Sequence, residues 1–259
     1  MNNFNLKNIT ESLLETFLEA GQAAKDISQK GVKVTIKEDK SPVTNGDLLV
    51  DKILKSKIKD LTPKTTIISE ETVNFSSTNN KEKTFWLIDP IDGTKEYINK
   101  GEEYTLNAAL IIDLKPAVGI IYAPAKDRLF YSYGNNCSFE INNGKKITLK
   151  GEKKNLNQII GLENSGNTPD EILKIYKKNK VSKTIRMSSS LKFCALASGE
   201  VDIYAAAPRA FEWDIAAGHA ILEHSGGSVT DLQEKKFLYG KKNYKNLSLI
   251  AKRSTQLDN

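Results

Sequence analysis

Residues 86–97 read WLIDPIDGTKEY, and their reading decides the fold. An apolar run ending in Asp-Pro is the pattern of a buried strand whose last residue emerges at a sheet edge. Gly93 and Thr94 then form a tight turn into a helix. Asp89 and Asp92 would stand where strand meets turn. That corner suits phosphate chemistry, but it is also an ordinary strand-turn-helix junction, so the rest of the chain must decide.

Working outward, residues 4–28 place Ile9, Leu13, Phe17, Ala20, Ala24 and Ile27 at helical spacing for one buried face. VKVTIKE alternates like a strand, and SPVTNGDLLVDKILKSKIKDL reads as a loop followed by an amphipathic helix starting near Thr44. TTIISEE and TFWLIDP are short apolar strands that both end in carboxylates. Between Thr105 and Tyr133, apolar stretches broken at DLKP and PAKD suggest antiparallel strands, and NNG at Asn142 is a hairpin turn. The second half alternates. IIGLE, VDIYAA and LSLIA read as strands. DEILKIYKKN, SSSLKFCALASG and WDIAAGHAILEHSGG read as helices, with serines at the N-cap region of the second and glycine stops on the last two. The fold class is mixed α/β in sheet and helix layers. A division near Lys150 gives an N-terminal half, 1–150, with most of the acidic site residues, and a C-terminal half, 151–259, with Asp214.

The 259 residues can bury a sizeable core, and 39% hydrophobic with 27% charged residues is a globular composition. No apolar run approaches the roughly 20 residues of a membrane span. The N-terminus lacks the basic start and apolar block of a signal peptide. Cys137 and Cys194 are too few for a disulfide framework and have no metal-type spacing. The expected location is the cytoplasm. The net charge of +6 favours anionic partners. Its lysines are scattered in pairs with no arginine-aromatic tract, which argues against a nucleic-acid surface.

Three segments bring acidic residues to the ends of apolar structure: ISEE with Glu70 and Glu71, IDPIDGT with Asp89 and Asp92, and EWDIAAG with Asp214. Magnesium, a hard cation with oxygen ligands, prefers such a cluster. Pro90 biases Asp89 toward extended geometry and brings no competing amide proton. Gly93 allows close backbone approach, and unpaired amides at Thr94 would favour an anion. Each piece alone has an ordinary explanation. SEE is commonly a solvated strand end, Thr44 with Asp47 matches a helix capping pair, and Trp213-Asp214 could be a core aromatic before an acidic first turn. His219 and His224 are expected to be structural or surface residues. Phosphatases that form an aspartyl-phosphate use Asp-x-Asp-Gly-Thr. The extra residue here, with its proline, would misalign the nucleophile and the acid-base residue.

Taken together, SEE, WLIDPIDGTKEY and WDIAAGHAILEHSGG resemble the inositol monophosphatase superfamily in order and spacing. SPVTNGD, DGTKEY and SSSLKFC are similar to its bacterial 3'(2'),5'-bisphosphate nucleotidase branch. The resemblance runs from about residue 10 to about residue 250. It implies a layered αβαβα fold with the site between two sheet-containing halves. It also implies one magnesium held by Glu70, Asp89 and the carbonyl of Ile91, and a second held by Asp89, Asp92 and Asp214. Glu71 would serve in an outer shell or at a third ion. Thr94 paired to Asp47 would orient the attacking water, and the Gly93 and Thr94 amides, with Lys95, would hold phosphate.

Ser189, Lys192 and Arg209 are the expected ligands of a phosphate that is not transferred. Two departures bear on substrate: Ser188 stands where the branch usually has glycine, and Ala206 where it tends to have arginine. The expected activity is magnesium-dependent removal of the 3'-phosphate of adenosine 3',5'-bisphosphate, with 3'-phosphoadenylyl sulfate a second substrate. The alternative is an inositol or sugar phosphate. A non-catalytic nucleotide or RNA binder would have no need of the complete acidic set. The oligomeric state is left open.

Overall fold

A computed structural model describes residues 4–38, 40–75, 82–151, 158–164, 166–208 and 210–253. The N-terminal helices α1 (Leu6–Lys30) and α2 (Asn45–Leu61) flank a small ribbon of β1 (Val34–Ile36) and β2 (Pro42–Thr44). β3 (Thr66–Ser69) and β4 (Phe85–Asp92) lead into a one-turn helix, α3 (Thr94–Ile98). Then come β5 (Thr105–Ile112), β6 (Lys115–Ala123), β7 (Arg128–Ser132), β8 (Ser138–Asn142) and β9 (Lys145–Thr148). β10 (Ile160–Glu163), α4 (Asp170–Lys178), β11 (Lys183–Arg186), α5 (Leu191–Ala197) and β12 (Ile203–Ala206) follow. The described chain closes with α6 (Glu212–His224), β13 (Ser228–Thr230) and β14 (Leu249–Lys252).

β3 to β9 form a seven-stranded sheet in sequential order, β3 parallel to β4 and the remaining neighbours antiparallel. The second sheet runs β11-β10-β12-β14-β13, with β10 parallel to both β11 and β12 and the other pairs antiparallel.

Side-chain alternation along the strands sorts the layers. In β4, Trp86 and Ile88 join Leu13, Phe17, Val50 and Leu54 in a core beneath α1 and α2. Phe85 and Leu87 point the other way, into a core shared with α5, α6 and the second sheet. In β12, Tyr204 and Ala206 face that middle core, while Ile203 and Ala205 pack on Ile172 and Tyr176 of α4. The order is helix, sheet, helix, sheet, helix, as the resemblance implied.

Gly119 of β6 lets α6 lie close on the large sheet. A Cβ there would sit 2.3 Å from the carbonyl oxygen of Ala217 and 2.9 Å from the Cβ of Ala220.

Several elements differ from the sequence reading. Pro42–Thr44, expected as loop, pairs with β1 in an antiparallel ribbon. β11 and β13 escaped notice because KTIR is an exposed edge strand without an apolar run and SVT has three residues. Ser190 is the N-cap residue of α5, but its hydroxyl does not cap. It donates instead to Asn107 Oδ1 at 2.7 Å and lies 2.8 Å from the Thr105 hydroxyl, because it is buried against β5. His219 and His224 are both buried. His219 Nδ1 lies 2.9 Å from the Tyr239 hydroxyl, and His224 Nδ1 accepts the Gly134 amide at 3.2 Å.

Candidate active site

Asp89 continues the alternation of Phe85 and Leu87, so its carboxylate faces the middle layer. In a regular strand a residue three positions on would point away. Here Asp89 is opposite Asn107 and Asp92 opposite Thr105, so three steps on β4 match two on β5. The extra residue is a β-bulge at Pro90–Ile91, where proline cannot donate to the ladder. Ile91 turns into the core beneath α1 and α2, which leaves Asp92 on the same face as Asp89.

Glu70 follows β3 directly, and its amide donates to the Ile88 carbonyl at 3.1 Å, which sets it beside Asp89. Asp214 arrives from the opposite sheet's side, in the first turn of α6, where its carboxylate accepts the Phe211 amide at 2.8 Å. Glu70, Asp89 and Asp214 offer carboxylate oxygens that all lie within 4.8 Å of one another. Asp92 lines a cavity together with Glu70 and Asp214.

Such crowding acts on the protons. Burial, and then the charges of Glu70, Asp92 and Asp214, push the Asp89 carboxyl well above the usual carboxylate range. Asp214 is raised well above it by burial and then by Asp92 and Glu70. Glu70 is raised by burial, against the pull of Lys37. Burial lifts Glu71 to about 7.

Asp89 Oδ1 is fully buried and has no hydrogen-bond partner among the described residues. An orphaned carboxylate oxygen inside an oxygen-only acidic set fits a hard divalent cation, which would satisfy the lone pairs and offset the repulsion.

Lys37, which the sequence reading passed over, is the cation that the protein itself supplies. Its ammonium lies 2.8 Å from Glu71 and 3.4 Å from Glu70. In the sequence it is one of many scattered lysines; only the β1–β2 ribbon carries it to the acidic cluster. Glu71 is spent on this pair and stands outside the close trio.

Gly93 has φ +89°, and a Cβ there would approach the Glu103 carbonyl at 3.0 Å, so the turn into α3 suits glycine. Thr94 departs from the expected pairing with Asp47. Its hydroxyl folds back one turn to donate to the Ile91 carbonyl at 3.2 Å. Asp47 is buried and accepts instead from the amide and hydroxyl of Thr44, as the N3 residue of the α2 capping box.

Glu70, Asp92, Gly93, Thr94 and Asp214 line one cavity of about 350 Å³, as do Lys95, Ser189 and Lys192. Lys95 is exposed at its edge. Ser189 holds φ +54°, uncommon for a residue with a side chain. Lys192 is 8% exposed, with its ammonium donating to the Met187 carbonyl at 3.3 Å and lying 5.4 Å from the centre of the Tyr204 ring. Arg209 lies outside the described residues.

The model of the inositol monophosphatase family matches residues 5–257. The chain belongs to that family. As a member it is a phosphatase and a user of divalent metal. Among its relatives is the 3'(2'),5'-bisphosphate nucleotidase CysQ of Buchnera aphidicola, 40% identical over 206 residues, 78% of this chain and 76% of that one. The CysQ of Salmonella typhimurium is 32% identical over 232 residues, 88% and 93% of the two chains. The crystal structure of CysQ from Bacteroides thetaiotaomicron superposes with TM-score 0.78 at 25% identity, covering 97% of this chain and 98% of that one. Inositol monophosphatase from Anabaena, at 24% identity, shares the fold with TM-score 0.76, over 98% and 94% of the two chains. Among the described residues, no helix is long and apolar enough to cross a membrane.

Proposed function

We propose that this protein removes the 3'-phosphate from adenosine 3',5'-bisphosphate, with 3'-phosphoadenylyl sulfate as a second substrate and magnesium as the metal. The observation that carries this reading is Lys192, a lysine buried in the wall of the cavity that holds the carboxylates. A monophosphate is served by the acidic corner and the turn amides alone. A second phosphate needs a cation away from the metal ligands, and Lys192 supplies one, with Ser189 beside it. Identity to two CysQ nucleotidases over most of the chain supports the same substrate.

Glu70, Asp89 and the Ile91 carbonyl would hold one magnesium, Asp89, Asp92 and Asp214 a second, and Glu71 would stand in the outer shell or at a third. When bound, magnesium supplies charge neutralisation at the phosphoryl oxygens and a more acidic water. The chain's own groups do the positioning. Gly93 and Thr94 present their amides to the phosphate, with Lys95 at the edge. The Thr94 hydroxyl, on release from the Ile91 carbonyl, turns to orient the incoming water, and the nearby Asp47 carboxylate receives its proton. In-line attack forms the new P–O bond as the P–O3' bond breaks, and the departing ribose oxygen takes a proton from solvent to leave as the 3'-hydroxyl, with no covalent enzyme intermediate.

The test is magnesium-dependent phosphate release from adenosine 3',5'-bisphosphate and inositol 1-phosphate, with Asp89→Asn as the background. Strong preference for the bisphosphate is expected. Preference for the inositol ester would replace this reading with an inositol phosphatase, in which Ser188 and Ala206 mark a changed pocket.

A further inference from the structure

Leu247 is 62% exposed, yet it lines the same cavity as the carboxylates. It stands on a segment that is firmly held. The neighbouring Asn246 is buried, its amide donates to the Ala210 carbonyl at 3.1 Å, and its side-chain amide donates to the Phe211 carbonyl at 2.7 Å. Its side-chain oxygen accepts from Lys241, whose ammonium also pairs with the fully buried Glu212 at 3.0 Å. Lys245 forms an isolated bridge with Phe211. The segment is thus fastened to the start of α6, the helix whose first turn carries Asp214. Leu247 keeps a set place relative to the acidic corner.

A leucine held in water on an anchored backbone is a preorganised apolar surface. Met187 and Ala210, partly buried, and Leu249 add apolar surface to the same cavity. A substrate that is only polyol and phosphate has no flat apolar face to set against it. A nucleobase has one.

We infer that Leu247 is a specificity-determining residue, whose side chain packs on the base of a nucleotide substrate and selects it over base-free phosphate esters. The inference rests on the phosphatase reading of this cavity and deepens it. Leucine has no group that can ligate a metal or carry a proton, so its contribution is to substrate affinity rather than to the chemical step.

The experiment compares wild type, Leu247→Ala and Leu247→Met. It measures magnesium-dependent phosphate release from adenosine 3',5'-bisphosphate and inositol 1-phosphate, with kcat and KM resolved separately. Leu247→Ala should lower the ratio of kcat/KM for the bisphosphate to that for the inositol ester by roughly 5- to 10-fold, the scale of a lost hydrophobic contact, and through KM. Leu247→Met should restore most of the ratio. Exposure of the side chain makes folding of all three expected, and matching thermal melts check it. An unaltered ratio in Leu247→Ala, or a loss through kcat on both substrates, overturns the role of Leu247 while leaving the nucleotidase reading intact. Wild-type protein that releases nothing from the bisphosphate sinks the nucleotidase reading itself, before any variant is compared.

Discussion

The Asp47 carboxylate accepts both the amide and the hydroxyl of Thr44, at 2.8 and 2.5 Å, while the Thr44 oxygen accepts the amides of Gly46 and Asp47. One acidic residue therefore closes the N-terminus of α2 and sits within electrostatic reach of Glu70 and Asp89. The two roles separate by substitution. Thr44→Ala removes the cap hydroxyl and should cost about 1 kcal/mol of stability. Asp47→Asn keeps an acceptor for Thr44 but loses the charge and the ability to take a proton. It should melt within a few degrees of wild type and lose at least about 100-fold in kcat. Equal, small kcat losses in both variants would reduce Asp47 to a helix cap.

Metal dependence should appear in stability as well as in rate. The raised carboxyls of Asp89, Asp214 and Glu70 bind protons more tightly in the folded protein than in the unfolded chain. Stability of the metal-free protein therefore falls as pH rises from the ordinary carboxylate range toward neutrality. Magnesium offsets this at neutral pH. A hundredfold excess over Kd is worth about 2.7 kcal/mol, a rise of roughly 5–10 °C in Tm for a chain of this size. Asp89→Asn should melt higher than wild type without metal and show little rise with it. A wild-type Tm unmoved by millimolar magnesium would count against a preformed site.

Lys192 predicts selectivity. Its ammonium is held between the Met187 carbonyl and the Tyr204 ring, inside the wall of the cavity. Lys192→Ala should lower kcat/KM for adenosine 3',5'-bisphosphate by about 10-fold or more, the scale of a charge-assisted hydrogen bond, and affect inositol 1-phosphate far less. Steady-state kinetics on both esters decide it. Equal losses on the two would mean that Lys192 supports the fold of the wall rather than recognition of a second phosphate.

The acidic residues were legible in the sequence because each ends an apolar run, and such runs have few places to end. Asp89 after WLI and Glu70 after TIIS had to emerge where strands β3 and β4 finish. Asp214 was legible as a first-turn acid of α6. The sequence could not disclose how far apart these ends lie, since that depends on the bulge at Pro90 and on the closeness of α6 to β6. Lys37 was hidden for a related reason. Its partners Glu70 and Glu71 are more than thirty positions away, and nothing local marks one lysine among many. The Thr94 hydroxyl was read from resemblance as facing Asp47. It takes the nearer carbonyl of Ile91 instead, which a short helix of five residues makes available.

His224 sets an acid limit. Burial holds its imidazole down at about 4, outweighing the attraction of Glu223, and its Nδ1 accepts the Gly134 amide. The unfolded chain takes up this proton first, so the contribution is complete above about pH 6.5 and is lost as pH falls toward 4. By pH 5 the loss is about 2 kcal/mol. The lowered carboxyl of the adjacent Glu223 acts in the same sense and the raised carboxyls of the acidic corner in the opposite one, so the comparison must be with His224→Gln, which cannot titrate. The difference in unfolding free energy between the two proteins should shift against wild type between pH 7 and 5. A constant difference would show that His224 protonates without penalty.

Gly119 ties packing to function. A methyl group at that position meets the Ala217 carbonyl at 2.3 Å, and α6 must move off the sheet to admit it. Gly119→Ala should cost roughly 1–3 kcal/mol through overpacking. The same displacement carries Asp214 away from Asp89 and Glu70, whose oxygens must stay within a few ångströms to share a cation. Magnesium affinity, measured by calorimetric titration well below the Tm, should fall at least threefold, although no ligand has changed. Lost stability with wild-type affinity would mean that the two sheets and α6 adjust together, and that the acidic corner is held by β4 and its bulge more than by the seat of the helix.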